Sequence, residues 1–153
     1  MNPKLESVLT RLESRFPGAV TRTPTKDQPT FMIPRESALA VFEYLKADEG
    51  FSLLLDVLAV DWFPARPRFE VVYHLYHPLD SLRLRAKVKV AQDQSVRSVT
   101  GIWPGANWPE REAYDLFGIV FEGHPNLRRI YMPDDWDGHP LRKDYPTTGK
   151  RTD

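Results

Sequence analysis

The sequence predicts an α+β domain of two layers, with helices on one face of a mostly antiparallel sheet, followed by an extended C-terminal arm. Three observations carry this. Apolar residues recur at helical spacing near the N-terminus and again in the thirties and forties; the period then switches to two across 51–90; and regular pattern ends after residue 121. A first helix is predicted over 3–15, where Leu5, Val8, Leu12 and Phe16 share a stripe and Pro17-Gly18 stops it. Residues 19–23 and 30–33 read as strands flanking the turn-prone "PTKDQP". Pro34 suits the first turn of a second helix running to Ala47, with Leu39, Phe42 and Leu45 inward. "FSLLLDVLAVDW" (51–62) reads as a strand buried on much of both faces. "RFEVVYHLYH" (68–77) and "SLRLRAKVKV" (81–90) follow, joined by a turn short enough for a hairpin. A brief strand is expected at 95–99. In "GANWPEREAYDLFGIVF", Asn107 and Glu110 have the spacing of a capping box, and Gly118 ends the helix they begin. Fourteen prolines spread along 153 residues favour short elements and long connections over a bundle.

Composition narrows the function classes. Acids and bases balance at 21 each, whereas a free-standing nucleic-acid binder usually carries a basic surplus. Cysteine is absent, which removes thiolate catalysis, disulfides and iron–sulfur ligation from this chain. The longest apolar run is interrupted by Asp56, and the N-terminal stretch lacks a signal peptide's apolar centre. The expectation is a cytosolic polypeptide, held at any membrane by other subunits.

In "LRLRAKVKV" (82–90), Leu82, Leu84, Ala86, Val88 and Val90 alternate with Arg83, Arg85, Lys87 and Lys89. The strand therefore has a dry face and a cationic face. That face is either solvated and relieved by acids on neighbouring strands, or a dock for an acidic partner. No stacking aromatics accompany it as single-stranded nucleic acid requires.

"EREAYDLFG" (110–118) concentrates Glu110, Arg111, Glu112 and Asp115. Acids near a helix start are favoured by its dipole, but Asp115 sits near the negative end, where Arg111 offsets it only in part. A hydrolase using Glu112 and Asp115 is one reading, since paired carboxylates do acid–base work when their environments split them. No phosphate loop, nucleophile elbow or zinc-protease motif supports it. His74 and His77 fall on opposite faces of a strand, and His124 and His139 each precede a proline in a loop, a poor metal set.

The chain divides at 121: an α+β domain over 1–121 and an arm over 122–153. The arm contains four prolines and three glycines, with Leu127, Ile130, Tyr131, Met132, Trp136, Leu141 and Tyr145 as its large apolar residues. Burying these returns less than ordering the backbone costs. The arm is therefore expected to order against another surface, with Arg128, Arg129, Arg142 and Lys143 beside Asp134, Asp135, Asp137 and Asp144 as directional pairs.

"EREAYDLFGIVFEGHPNLRRI" (110–130) and "DGHPLRKDYP" (137–146) resemble the signature stretches of the C-subunit family of NADH-quinone oxidoreductase, the 30-kilodalton component of respiratory complex I. The resemblance implies an α+β domain with an arm lying on neighbouring subunits, in the peripheral arm of the complex on the cytoplasmic side of the bacterial inner membrane. It implies contact with the 49-kilodalton, D-type subunit and with a nearby cluster-bearing, B-type one. This chain then carries no cofactor: NADH, FMN, iron–sulfur clusters and quinone belong to other subunits. The partner-facing residues on this reading are Glu110, Arg111, Glu112, Asp115, His124, Arg128, Arg129, Trp136, His139, Arg142, Lys143 and Asp144. Related modules also serve ferredoxin-dependent complexes, methanogen-type dehydrogenases and membrane-bound hydrogenases.

Overall fold

Helix α1 (Pro3–Arg15) begins where the Asn2 side chain accepts the Lys4 N–H at 2.9 Å, with proline in the first turn. It opens the structure, a computed structural model that describes residues 1–149. Strands β1 (Thr21–Thr23) and β2 (Thr30–Ile33) form an antiparallel pair. A single 3-10 turn at Arg35–Ser37 leads into α2 (Ala38–Ala47), close to the predicted start at Pro34. Three longer strands follow, β3 (Leu53–Asp61), β4 (Phe69–His77) and β5 (Leu82–Val90). Then come β6 (Ser95–Arg97), α3 (Asn107–Phe117) and β7 (Val120–Glu122).

The main sheet has the order β1-β2-β5-β4-β3. Its pairs are antiparallel except β2 with β5, which run parallel because the chain crosses over through α2 and the β3–β4 hairpin before returning. Registers Phe31↔Ala86, Tyr73↔Ala86 and Val57↔Tyr73 put one apolar row on a single face. Helices cover that face. Phe42 of α2 meets Tyr73 at 4.6 Å between ring centroids, and Phe117 of α3 meets Phe69 at 6.4 Å. Leu9 and Leu12 of α1 join the same buried cluster. The predicted two-layer α+β architecture is the observed one.

Two expectations change. The 51–62 strand is not buried on both faces: β3 is the sheet edge, Leu53 and Leu55 are 47% and 51% exposed, and a bulge lies between Leu54 and Asp56. Its apolar run reflects an uncovered edge rather than a central position. A second, two-stranded parallel sheet of β6 and β7 also forms, pairing Val96 with Phe121, where regular sequence pattern ends. The cationic row of β5 lies mid-sheet, and neighbouring acids meet part of it: Arg85 with Asp27 at 2.7 Å and Lys87 with Glu70 at 3.1 Å. Among the described residues no helix is long and apolar enough to cross a membrane.

The Tyr73 hydroxyl is fully buried with no hydrogen-bond partner among the described residues. Its desolvation is therefore uncompensated. Tyr73→Phe is expected to leave stability unchanged or raise it by up to about 1 kcal/mol, read from urea unfolding; a clear loss would contradict the orphaned hydroxyl.

Candidate functional site

Helix α3 organises the C-terminal third. A 3-10 turn at Pro104–Ala106 precedes it, so Asn107 is already helical at φ −50° and ψ −56°. The expected capping box does not form. A residue inside the helix cannot swing its side chain onto the following amides, and Asn107 Oδ1 is left buried without a partner among the described residues. Glu110 turns the other way. Its carboxylate accepts from Ser98 Oγ at 2.6 Å and from the Val99 amide at 2.7 Å, tying α3 to the segment after β6. Burial pushes the Glu110 carboxyl up to about 7 despite these two donors. No cation among the described residues opposes that cost.

The C-terminal end of α3 is the centre of the site. A helix leaves its last carbonyls unpaired. Here the arm supplies the donors. Asp115 O accepts from Arg129 Nη2 at 3.2 Å and faces His139 Nδ1 at 2.9 Å. Leu116 O accepts the Leu141 amide at 3.0 Å, and Phe117 O accepts Arg142 Nε at 2.7 Å. Gly118 closes the helix at φ +77°, and a Cβ there would meet Arg142 Nη2 at 2.6 Å and the His139 ring at 2.7 Å. Glycine is thus required twice, by conformation and by space.

The Asp115 side chain, 0% exposed, completes the anchor. One oxygen accepts Arg129 Nε at 2.7 Å; the other accepts the amides of Ile130, Tyr131 and Met132 at 3.1, 2.7 and 3.1 Å. Burial pushes this carboxyl up, but the three amides and the Arg129 guanidinium outweigh it and hold it below the usual carboxylate range. Arg129 also donates to the Trp136 carbonyl at 2.5 Å and to that of Gly138, folding 129–139 into a loop around its guanidinium. Arg111, stacked on Trp108 at 4.7 Å, donates to the carbonyls of Arg128 and Arg129 at 3.0 and 3.3 Å. His124 Nδ1 accepts the Asn126 amide at 2.9 Å, which leaves Nε2 to donate to Asn107 O at 3.1 Å.

A second anchor lies further along. Arg68 pairs with Asp61 at 2.9 Å and with Asp144 at 2.5 Å, and Asp61 also accepts the Lys143 amide at 2.8 Å. Burial raises the Asp61 carboxyl, but Arg68 and the Lys143 and Phe63 amides bring it down to about 2. Arg142 stacks on Phe69 at 5.4 Å, and Trp136 Nε1 meets the Tyr145 hydroxyl at 3.2 Å.

The candidates named from sequence therefore divide. Arg111, Asp115, His124, Arg129, Trp136, His139, Arg142, Lys143 and Asp144 all bond across the junction between domain and arm or within the folded arm. Glu110 serves a different junction, and Glu112 is exposed. The Arg128 side chain is exposed while its carbonyl is held. Sequence reasoning missed Arg68, Asp61 and Ser98. The first two flank one loop at opposite ends of neighbouring strands, which is a legible signal; Ser98 carries none. The two carboxylates of the hydrolase reading stand in different surroundings: Asp115 is buried and accepts from four donors, whereas Glu112 is exposed. The arm also orders against its own domain, through polar bonds that a count of apolar side chains does not include. Residues 150–153 of the arm lie outside the described residues.

Fold and site together define a two-layer α+β module whose C-terminal segment is bonded to the end of its own third helix. The chain belongs to the family of the respiratory-chain NADH dehydrogenase 30 Kd subunit, whose pattern it matches over residues 31–151. It is 44% identical over 141 residues to the NADH-quinone oxidoreductase C subunit of Geotalea uraniireducens, covering 91% of this chain and 86% of that protein. The same-named protein of Rhizobium rhizogenes is 53% identical over 117 residues, 74% of this chain, which spans 58% of that longer relative. Among solved structures it resembles a chain of the membrane-bound sulfane sulfur reductase, an archaeal respiratory membrane complex. The TM-score is 0.81 at 26% identity, over 94% of this chain and 86% of that one.

Removing Asp115 strands Arg129 and three amides. Asp115→Ala is expected to cost about 3–5 kcal/mol in urea unfolding, and Asp115→Asn, which keeps an acceptor oxygen, less. The pH dependence has two windows of opposite sign. Glu110 is raised from 4.5 to about 7, so its contribution is complete below about pH 4.5 and is lost as pH climbs to about 7. Asp61 and Asp115 are lowered from 3.8, so theirs is complete above about pH 4 and is lost on acidification, for Asp61 down to about 2. Stability is therefore expected to peak near pH 4–5 from these groups, and Glu110→Gln to flatten the decline between pH 5 and 8 while leaving the acid limb in place.

Proposed function

We propose that this chain is a non-catalytic assembly subunit in the peripheral arm of a proton-translocating NADH:quinone oxidoreductase. Its 122–153 segment docks on the 49-kilodalton, D-type subunit, with the B-type one nearby, on the cytoplasmic side of the membrane. NADH, FMN, iron–sulfur clusters and quinone are held by other subunits, and this chain supports electron transfer to quinone by holding them in place. The observation that carries this reading is the anchored arm. It spends its backbone and the Arg129, His139 and Arg142 side chains on its own helix end, and turns Arg128, Tyr131, Asp134, Asp135 and Lys143 outward. Tyr131 is 65% exposed. An aromatic residue displayed among both charge signs on a fixed loop has the composition of a protein interface. The NADH-quinone oxidoreductase relatives at 44% and 53% identity support the NADH-linked assignment.

A second reading has one observation in its favour. The structural relative at 26% identity belongs to an archaeal membrane-bound sulfane sulfur reductase. On this reading the module serves a complex with a different electron donor, including the ferredoxin-dependent and hydrogenase types. Deleting this chain separates the two, since only the first reading requires membranes to lose NADH-driven quinone reduction.

Arg128 provides the direct test of docking, because its side chain is not used by the internal anchor. Arg128→Glu is expected to reduce co-purification with the 49-kilodalton partner at least about tenfold, the loss of one interfacial charge pair, with unfolding of the isolated chain unchanged. Undiminished co-purification would remove Arg128 from the interface.

A further inference from the structure

The two edges of the main sheet are finished differently. At one, β1 has three residues, and its Arg22 is held by Glu13 and Glu6, each at 2.7 Å. Short, charge-tethered strands are how sheets prevent further pairing. At the other, β3 has nine residues, LLLDVLAVD, without lysine, arginine or proline, and no strand among the described residues lies beyond it.

The backbone of β3 can be followed group by group. Trp62 donates its amide to Arg68 O at 2.8 Å, which sets the alternation of an antiparallel ladder. By that alternation Val60 and Leu58 direct their backbone groups at β4, while Val57 and Ala59 direct theirs out of the sheet. The Val57 amide is held by the Asp56 carboxylate at 2.8 Å, a side-chain substitute for an absent neighbour. The Ala59 amide and carbonyl thus leave the β4 ladder unused, and Ala59 lines an open groove of about 240 Å³ between β3 and α3. Pro109, Glu112 and Leu116 form the helical wall and Leu141 of the arm one end; Asp56 lies on the strand side. Leu141 is 54% exposed. Both charged residues lining the groove are acids.

The geometry points to a docking site for an extended, basic segment of a partner protein, added as a strand along the free edge of β3 with its apolar side chains against Leu116 and Leu141 and a lysine or arginine between Asp56 and Glu112. Strand addition supplies main-chain bonds that suit any sequence, and the flanking helix and acids select among sequences. This rests on the assembly reading and deepens it by naming a second surface, away from Arg128.

The test uses the isolated full chain, so its failure and that of the Arg128 experiment are separate. Amide exchange is followed by NMR with an alternating valine–lysine peptide and with its valine–glutamate counterpart. The lysine peptide is expected to slow exchange of the Ala59 amide at least about tenfold and to shift Leu116; the glutamate peptide is expected to do neither. Ala59→Pro removes only an outward N–H, which an edge strand tolerates, and should abolish the response where Ala59→Val retains it. Glu112→Lys, at an exposed position, should weaken it without altering unfolding. Equal protection by both peptides, protection by neither, or Ala59 protection that grows with chain concentration alone, which would mark a second copy as the occupant, each overturns the proposal.

Discussion

The unpaired end of α3 is the constraint on which the C-terminal third depends. Three successive carbonyls and one aspartate converge there, and all of them need donors. In a free helix, water would supply them. Here the surface is occupied by protein, so the arm must. Arg129, His139, Arg142 and the amides of Ile130, Tyr131, Met132 and Leu141 do so. The apparent misplacement of Asp115 at the negative end of a helix dipole follows directly. It is an acceptor for the arm, and the guanidinium it recruits also neutralises the helix end.

This mode of fixing an irregular segment has consequences for its surface. Apolar docking would have hidden the arm's large side chains. Polar docking through the backbone and a few inward guanidiniums leaves Tyr131 and Leu141 largely exposed while fixing where they stand. Preorganised exposed groups bind with less entropic loss than mobile ones. The arm is therefore a positioned surface rather than a tether, and it also forms one end of the groove beside β3.

Much of the fold was legible because it rests on periodicity. The β5 alternation of Leu82 through Val90 reproduces in burial residue by residue. The stripe of α1 and the stop at Gly118 hold for equally local reasons. The role of 51–62 was not legible, because an apolar run reads the same in a central strand and at an open edge. Only the order β5-β4-β3 tells them apart. Glu110 shows the same limit for the site. Its spacing from Asn107 fits a cap, yet the 3-10 turn before the helix moved the start by one residue and sent its carboxylate to Ser98.

By itself the sequence determined the α+β class, the order of the elements through α3, the family and the residue types crowded around 110–146. These depend on side-chain period, turn chemistry and a dense motif, all of them local along the chain. Tertiary structure decided which acid meets which base: Asp115 with Arg129, Asp61 with Arg68 and Asp144, Glu110 with no base among the described residues. Those pairings join residues of different elements, and a charge on a short helix can turn to any of several neighbours. Only packing fixes which one it reaches.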